Sequence, residues 1–275
     1  DSSCLVAYKF QASGSPNIDG RFMEMTTSGV SNPSYLSFPI STSIGRDPYV
    51  AIGDDGYLVA YTWDDLSTPP NESWSVYSHV YPTHQSSGNQ YMHGTLFLIN
   101  EGDLNNDHDK SSTGVAYDAC ADKFIVTFTY DWAGDGTDLD VGARPVHKNA
   151  GVVDDFFWIA ASTAQEARGD ISFIEDYHLT GTPPHASKLV VAYSRWDGSL
   201  PDGIYATDLL SNCSTTNTSY RRDSIWEHFL VVEPYPAFGS GVYNPSITGA
   251  GGYKQFLVAW TDAKNTTSKY YEYVY

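Results

Sequence analysis

The chain is poor in basic side chains, and this shortage excludes one broad class of partner. Among 275 residues, 15 are lysine or arginine and 33 are aspartate or glutamate, which gives a formal net charge of −18. A protein that binds the phosphate backbone of nucleic acids needs a basic stripe, so we expect no nucleic-acid partner. No apolar run approaches the roughly 18 residues of a transmembrane helix, so we also expect no insertion into a membrane.

Cysteine is scarce as well, with three residues at positions 4, 120 and 213. No two of them form a C-x-x-C pair, which argues against a zinc site or a thioredoxin-type redox site. The cysteines therefore form one disulfide and leave one thiol, or all three are reduced.

Aromatic and turn-forming residues are abundant by contrast. The chain has 21 tyrosines, 12 phenylalanines and 7 tryptophans together with 23 glycines and 14 prolines, a composition typical of strands joined by turns. Its hydrophobic content of 41% is enough for a sizeable core.

Four N-x-S/T sequons lie in polar, turn-like stretches, where glycosylation is sterically feasible. They begin at Asn71, Asn212, Asn217 and Asn265. The acidic charge, the tyrosine content and the sequons together predict a secreted glycoprotein that is extracellular or at the cell surface.

A short apolar motif recurs five times and organises the whole chain. The copies begin 53, 67, 65 and 67 residues apart, and each has the length and the β-branched and aromatic content of a buried strand. They span residues 4–8, 57–61, 124–128, 189–193 and 256–260.

Further strand patterns precede and follow most copies of the motif. About four antiparallel strands per repeat predict an all-β fold, a five-bladed β-propeller with four-stranded blades, one of them incomplete. We expect a single domain over residues 1–275, and two stacked sandwiches of unrelated strands are the alternative. The repeat units lie at about 1–43, 44–109, 110–166, 167–240 and 241–275.

The strand count leaves one blade open. The patterns predict 18 strands, whereas five blades of four strands need 20. The first repeat lacks its first strand and the last repeat stops at its third, and these gaps are neighbours in a ring. Either the fifth blade is thin, or a neighbouring protomer completes it through the bare strand edge. Completion between protomers is a heterologous contact and would build a filament.

The repeat pattern resembles that of secreted bacterial-type β-propeller repeat proteins over nearly the whole chain. The resemblance lies in N-P-x-[VI], in [YF]-L-V-A-[YW]-x-D, and in a third strand such as Asp138-Leu-Asp-Val-Gly-Ala-Arg144. It implies a structural framework and says little about activity.

A weaker resemblance is to the five-bladed propellers of glycoside hydrolase family 43, through Arg46-Asp-Pro-Tyr-Val50 and the Asp-Gly-Tyr-Leu that follows. It implies a glycosidase in which Asp47 is the general base. Hydrolysis needs a second carboxylate, and Asp170 starts an inner strand at what we take to be the equivalent position. The matching positions of the other repeats hold Thr113 and Asn244, and no glutamate stands in a recognisable acid motif.

The loop at 103–109 is the candidate cation site. Alternate oxygen-bearing side chains in a short loop can converge on one hard cation, so Ca²⁺ is the cofactor that this loop predicts. The loop lacks the glycine and the distal glutamate of an EF-hand loop. The expected ligands are Asp103, Asn105, Asp107 and Asp109.

Two further sets of residues follow from the repeat. Trp63, Trp132 and Trp196 each come just after a second strand, where they are candidates for stacking on sugars or for packing between blades. Cys120 and Cys213 fall in loops that we expect on one face of adjacent blades, so they are the predicted disulfide. Cys4 then stays free or links protomers.

We expect a non-catalytic structural or adhesive β-propeller whose partner is itself, in an assembly that can extend into a filament. One alternative is a lectin-like propeller that binds glycans, with sites repeated in each blade. The other alternative is a glycoside hydrolase of the family 43 type that uses Asp47 and Asp170.

Overall fold

The computed structural model describes most of the chain in segments. These are residues 2–10, 17–26, 29–31, 37–41, 45–54, 56–64, 74–82, 95–99, 110–147, 154–177, 186–196, 203–216, 218–222, 228–232, 241–250, 255–264 and 267–274. Within them the chain forms strands and turns only, and no helix has the length and apolarity of a membrane span.

Twenty strands in the described segments form five antiparallel sheets, each built from consecutive strands. Sheet 1 contains β1 (Ser2–Phe10), β2 (Asn17–Thr26), β3 (Gly29–Ser31) and β4 (Ser37–Ser41). Sheet 2 contains β5 (Gly45–Ile52), β6 (Gly56–Asp64), β7 (Trp74–Pro82) and β8 (Thr95–Leu98). Sheet 3 contains β9 (Lys110–Asp118), β10 (Lys123–Asp131), β11 (Leu139–His147) and β12 (Phe157–Ala160).

The last two sheets differ in their number of strands. Sheet 4 contains β13 (Gln165–Tyr177), β14 (Ala186–Trp196), β15 (Gly203–Ser211), β16 (Tyr220–Arg222) and β17 (Phe229–Val232). Sheet 5 contains β18 (Gly241–Ala250), β19 (Gln255–Lys264) and β20 (Thr267–Val274). The predicted all-β class is confirmed.

The predicted count of 18 strands is too low, because in sheets 1 and 4 two short strands occupy the outer position. In sheet 1, β2 pairs with β3 at one end and with β4 at the other. In sheet 4, β15 pairs with β16 and β17 in the same way. A short pair of outer strands thus replaces the single fourth strand that the pattern predicts.

The repeated motif lies in β1, β6, β10, β14 and β19, and in the last four it is the strand between two partners. In β10 every residue is buried, from Lys123 to Asp131. A strand that is covered on both faces reads as a continuous apolar run, which explains why the motif does not alternate.

The hydrophobic core is divided among the junctions between consecutive sheets. One cluster joins sheets 1 and 2, and others join sheets 2 and 3, sheets 3 and 4, and sheets 4 and 5. Contacts also run from β1 to β5, from β5 to β9, from β9 to β13 and from β13 to β18. The strands β5, β9, β13 and β18, which we call the inner strands, therefore lie side by side.

Candidate functional site

The inner strands line an open cavity of about 590 Å³. All four contribute to its lining, which is largely aliphatic and aromatic. Its polar side chains are Tyr49, Tyr117, Asp170, Ser172 and Thr248. At the end of β5, Ile52 is 57% exposed, so apolar surface is open to solvent there. A mostly apolar cavity with a few polar groups is the kind of space in which proteins bind small ligands.

A bulge interrupts three of the inner strands at the same register. In each, a pair of residues stands opposite one aromatic residue of the middle strand, and the first of the pair has a positive φ. These first residues are Asp47, Arg168 and Asn244, with φ of 52°, 59° and 51°. Asp and Asn tolerate this left-handed conformation better than most residues.

The bulges correct the expected equivalence of Asp47 and Asp170. Asp47 stands in the bulge of β5, and the residue at that position of β13 is Arg168. Asp170 pairs with Ala192, as Tyr49 pairs with Ala60, so Asp170 corresponds to Tyr49. An alignment of the two aspartates by residue type alone misses this two-residue shift.

The strand pairing of β9 also corrects the position in the repeat that the sequence assigned to Thr113. In β9, Ser112 pairs with Phe128 and Gly114 with Thr127, so Thr113 is an extra residue between them. Gly114 is therefore the position that corresponds to Asp170, and Thr113 does not match Asp47.

Asp170 is held by donors from its own strand and from β18. Its Oδ2 accepts hydrogen bonds from the Ile247 N–H at 2.9 Å and the Ser246 hydroxyl at 3.0 Å. Its Oδ1 accepts one from the Ile171 N–H at 2.9 Å. Burial raises the pKa of Asp170 to about 6, although these donors favour the charged form. The carboxylate thus links two sheets beside the cavity.

Asp47 has a different environment. It is exposed, and its carboxylate lies 3.5 Å from the guanidinium of Arg46. Burial, together with the negative charges of Asp170 and Asp47, raises the pKa of Tyr49 to about 12. Between the bulges of β13 and β18, the Arg168 guanidinium donates a hydrogen bond to the Asn244 side chain.

Threonine hydroxyl groups tie two of the inner strands to the middle strand of the preceding sheet. The Ser112 N–H donates to Thr62 Oγ1, and the Arg168 N–H donates to Thr129 Oγ1, each at 2.9 Å. Thr62 and Thr129 are equivalent in β6 and β10, one residue after the aromatic that closes the motif. The bulge of one sheet is therefore satisfied by a threonine of the preceding sheet.

The three tryptophans are not equivalent. Trp63 is the second residue after the motif and Trp196 the third, and both lie within strands, whereas Trp132 is the fourth and lies just after β10 ends. Trp63 packs against the core between sheets 1 and 2. Repeated sugar sites at these residues are therefore not supported, because the three do not share a position.

Trp132 stands apart because it is 42% exposed. Its ring contacts those of Tyr130 and Trp158, with centroids 4.9 Å and 5.3 Å away. Its indole N–H donates to the Asp140 carboxyl. These contacts fix the orientation of an aromatic surface beside the loop 133–138.

Cys120 and Cys213, the pair chosen from the sequence, form a disulfide with Cα atoms 4.9 Å apart. It joins the turn after β9 to the loop after β15, and hence sheet 3 to sheet 4. Beside it, Asp118 accepts hydrogen bonds from the Cys120 N–H at 3.1 Å and the Tyr220 hydroxyl at 3.0 Å. Burial raises the pKa of Tyr220 well above its usual range.

The remaining predicted sites fall partly or wholly outside the described residues. The candidate calcium ligands Asp103, Asn105, Asp107 and Asp109 lie there, as do the sequons at Asn71, Asn217 and Asn265. Cys4 lies on β1. Asn212 is exposed, and its Oδ1 accepts hydrogen bonds from the Ser214 and Ser219 N–H groups. No group of three or more metal-ligating side chains occurs in the part of the chain that the structure describes.

No protein-family model matches the chain, and no curated protein matches it. Among solved structures, it is similar to the crystal structure of an exo-1,5-alpha-L-arabinanase from a bovine ruminal metagenomic library. That alignment covers 97% of this chain and 91% of the other, with 7% sequence identity and a TM-score of 0.42.

Proposed function

We propose that the protein is a non-catalytic extracellular β-propeller that assembles with itself. The five sheets would be its blades, arranged around the cavity that the inner strands line. The order of the sheets supports this arrangement, because each inner strand contacts the next one along the chain.

Two strands that lack a partner found in the other sheets carry the proposal of self-assembly. Among the described strands, β1 holds the motif but pairs with β2 alone, whereas β6, β10, β14 and β19 are paired on both sides. In the same way β20 pairs with β19 alone, whereas the equivalent strands β7, β11 and β15 also have an outer partner. Both β1 and β20 are long, with 9 and 8 residues. The free side of such a strand presents unpaired N–H and C=O groups to any further chain. A neighbouring protomer that pairs with one of these edges would complete a blade and leave the opposite edge free for the next protomer.

The environments of the two aspartates support a structural role in preference to glycoside hydrolysis. A hydrolytic pair must flank the scissile bond, with one carboxyl group as acid. Asp170 instead accepts three hydrogen bonds from the protein, and Asp47 stands at a different register beside Arg46.

Light scattering of the protein in solution tests self-assembly. We expect the mean mass to rise with concentration, and we expect Tyr271→Lys with Tyr273→Lys to suppress that rise. Both positions lie on β20, and added charge on an edge strand disfavours pairing with another chain. The matched control is Thr216→Lys, an exposed loop residue. A wild-type mass that stays at one chain at all concentrations would contradict the proposal.

Trp132 supports a second candidate, a single carbohydrate-binding site on sheet 3. Its exposed indole is held by Tyr130 and Trp158, and a fixed aromatic face of this kind suits stacking on a sugar ring. A glycan array probed with wild type and Trp132→Ala tests it, with Trp63→Phe as the control. Binding that survives Trp132→Ala, or no binding by the wild type, would rule this site out.

A further inference from the structure

Two carboxyl groups from neighbouring sheets meet in the interior between sheets 3 and 4. Asp140 on β11 is 4% exposed, and Glu166 on β13 is 3% exposed. The two carboxyl groups lie close enough for each to act on the pKa of the other. Two carboxylates can only accept hydrogen bonds, so a hydrogen bond between them needs a proton on one of the two groups.

The protein supplies donors to only part of this pair. The Ser162 hydroxyl donates to Glu166 Oε1 at 2.6 Å, the Ser162 N–H is a donor to both carboxyls, and the Trp132 indole donates to Asp140. Asp140 Oδ1 and Glu166 Oε2 are buried, and no donor in the described residues reaches either atom. A buried oxygen without a donor is unfavourable, and one proton held by the pair supplies a donor.

Two nearby charges act on the pair in opposite directions. Arg195 on β14 has its Nε 3.6 Å from Glu166 Oε1 and favours the charged form of that group. Asp138, just before β11, is a third carboxylate and favours the neutral form of Asp140. Burial, the main cause, raises the pKa of Asp140 to about 7 and raises that of Glu166 as well.

We propose that Asp140 and Glu166 share one proton and act as a pH-sensitive joint between sheets 3 and 4. With the proton in place the two carboxyls attract each other across the junction. When it is lost, two buried negative charges face each other and repel. The disulfide Cys120–Cys213 still links the same sheets, so the repulsion acts locally, on the strand start at Glu166 and on the loop that carries Trp132.

Thermal unfolding across pH tests the joint. We expect the Tm of the wild type to fall by several degrees as pH rises through about 7, since the folded state then loses its extra proton. Asp140→Asn should remove this fall, because its amide donates to Glu166 without titrating. Asp135→Asn is the control. Asp135 is exposed in the loop 133–138, so this variant should leave the fall in Tm unchanged.

Infrared spectroscopy just below neutral pH gives a second readout that a purely structural role would not move. We expect the C=O band of a protonated carboxylic acid, and both Asp140→Asn and Glu166→Gln should reduce it. If Asp140→Asn does not fold, Glu166→Gln serves in both experiments. A variant whose Tm profile runs parallel to the wild type, or whose carbonyl band is unchanged, would overturn the proposal. A Ca²⁺-dependent rise in Tm above pH 7 that Asp140→Asn abolishes would also overturn it, because a cation would then bridge the pair.

Discussion

Asp170 on β13 accepts a hydrogen bond from the Ile247 N–H on β18, and the contact ties together the inner strands of sheets 4 and 5. The other oxygen of the same carboxylate faces β9, where a Cβ placed on Gly114 would lie 2.5 Å from Asp170 Oδ1. One side chain therefore contacts three inner strands. This position makes Asp170 a structural centre of the wall that surrounds the cavity.

Loss of one acceptor oxygen of Asp170 should destabilise the fold. Asp170→Asn replaces one carboxylate oxygen by an NH2 group, which cannot accept the hydrogen bonds that reach that oxygen from Ser246 and Ile247 or from Ile171. We expect the free energy of unfolding to fall by about 2 kcal/mol, the scale of a buried donor left without a partner. Urea denaturation measures it.

The matched control for that experiment is Asp47→Asn. Asp47 is exposed, and asparagine tolerates its positive φ, so we expect a change within about 0.5 kcal/mol. Equal losses in the two variants would contradict the structural role of Asp170.

Gly114→Ala should disturb the same contact from the other side. The added Cβ would lie 2.5 Å from Asp170 Oδ1 and 2.9 Å from Thr127 Oγ1, and neither group can retreat without losing a hydrogen bond. We expect a loss of about 1–3 kcal/mol in the free energy of unfolding.

Gly136→Ala separates crowding from backbone strain. Gly136 has a φ of 78° with nothing near its Cβ position, so this variant should lose only about 1 kcal/mol. A Gly114→Ala protein as stable as the wild type would show that β9 and β13 are not packed this closely.

The protein should become less stable as pH rises from about 4 to about 7. The raised pKa values of Asp170, about 6, and Asp140, about 7, mean that the folded state keeps protons that the unfolded chain has released. The stability that these protons confer is complete below the unfolded pKa and is lost as pH passes each folded pKa.

Chemical denaturation at a series of pH values resolves the two contributions. Asp170→Asn should remove the fall in the free energy of unfolding up to about pH 6. Asp140→Asn should remove the part of the fall that extends to about pH 7. Stability that increases steadily over this window would contradict the prediction.

The disulfide between sheets 3 and 4 should contribute to stability. It links residues 93 apart in the sequence, and closing a loop of that size restricts the unfolded chain. Cys213→Ser should therefore lower the free energy of unfolding by about 2–5 kcal/mol. Thermal unfolding with and without reductant measures the same effect in the wild type. Cys4→Ser should leave the Tm unchanged, and a loss equal to that of Cys213→Ser would contradict the pairing.

The sequence predicts the middle strands well because a strand that is covered on both faces needs an unbroken apolar run. It does not predict the bulges, which depend on how β5 and β13 align with their partners. The equivalence of Asp47 with Asp170 fails for this reason. The equivalence of the three tryptophans fails because they follow the motif by two, three and four places and so do not occupy one position of the repeat. The Asp140–Glu166 pair joins strands of two different sheets, and no local pattern marks it.

Negative-stain electron microscopy of the native protein at modest concentration tests self-assembly most directly. We expect fibres with a regular repeat from the wild type and dispersed particles from the double variant Tyr271→Lys with Tyr273→Lys. Dispersed single particles from the wild type at every concentration would contradict assembly through the free edges of β1 and β20.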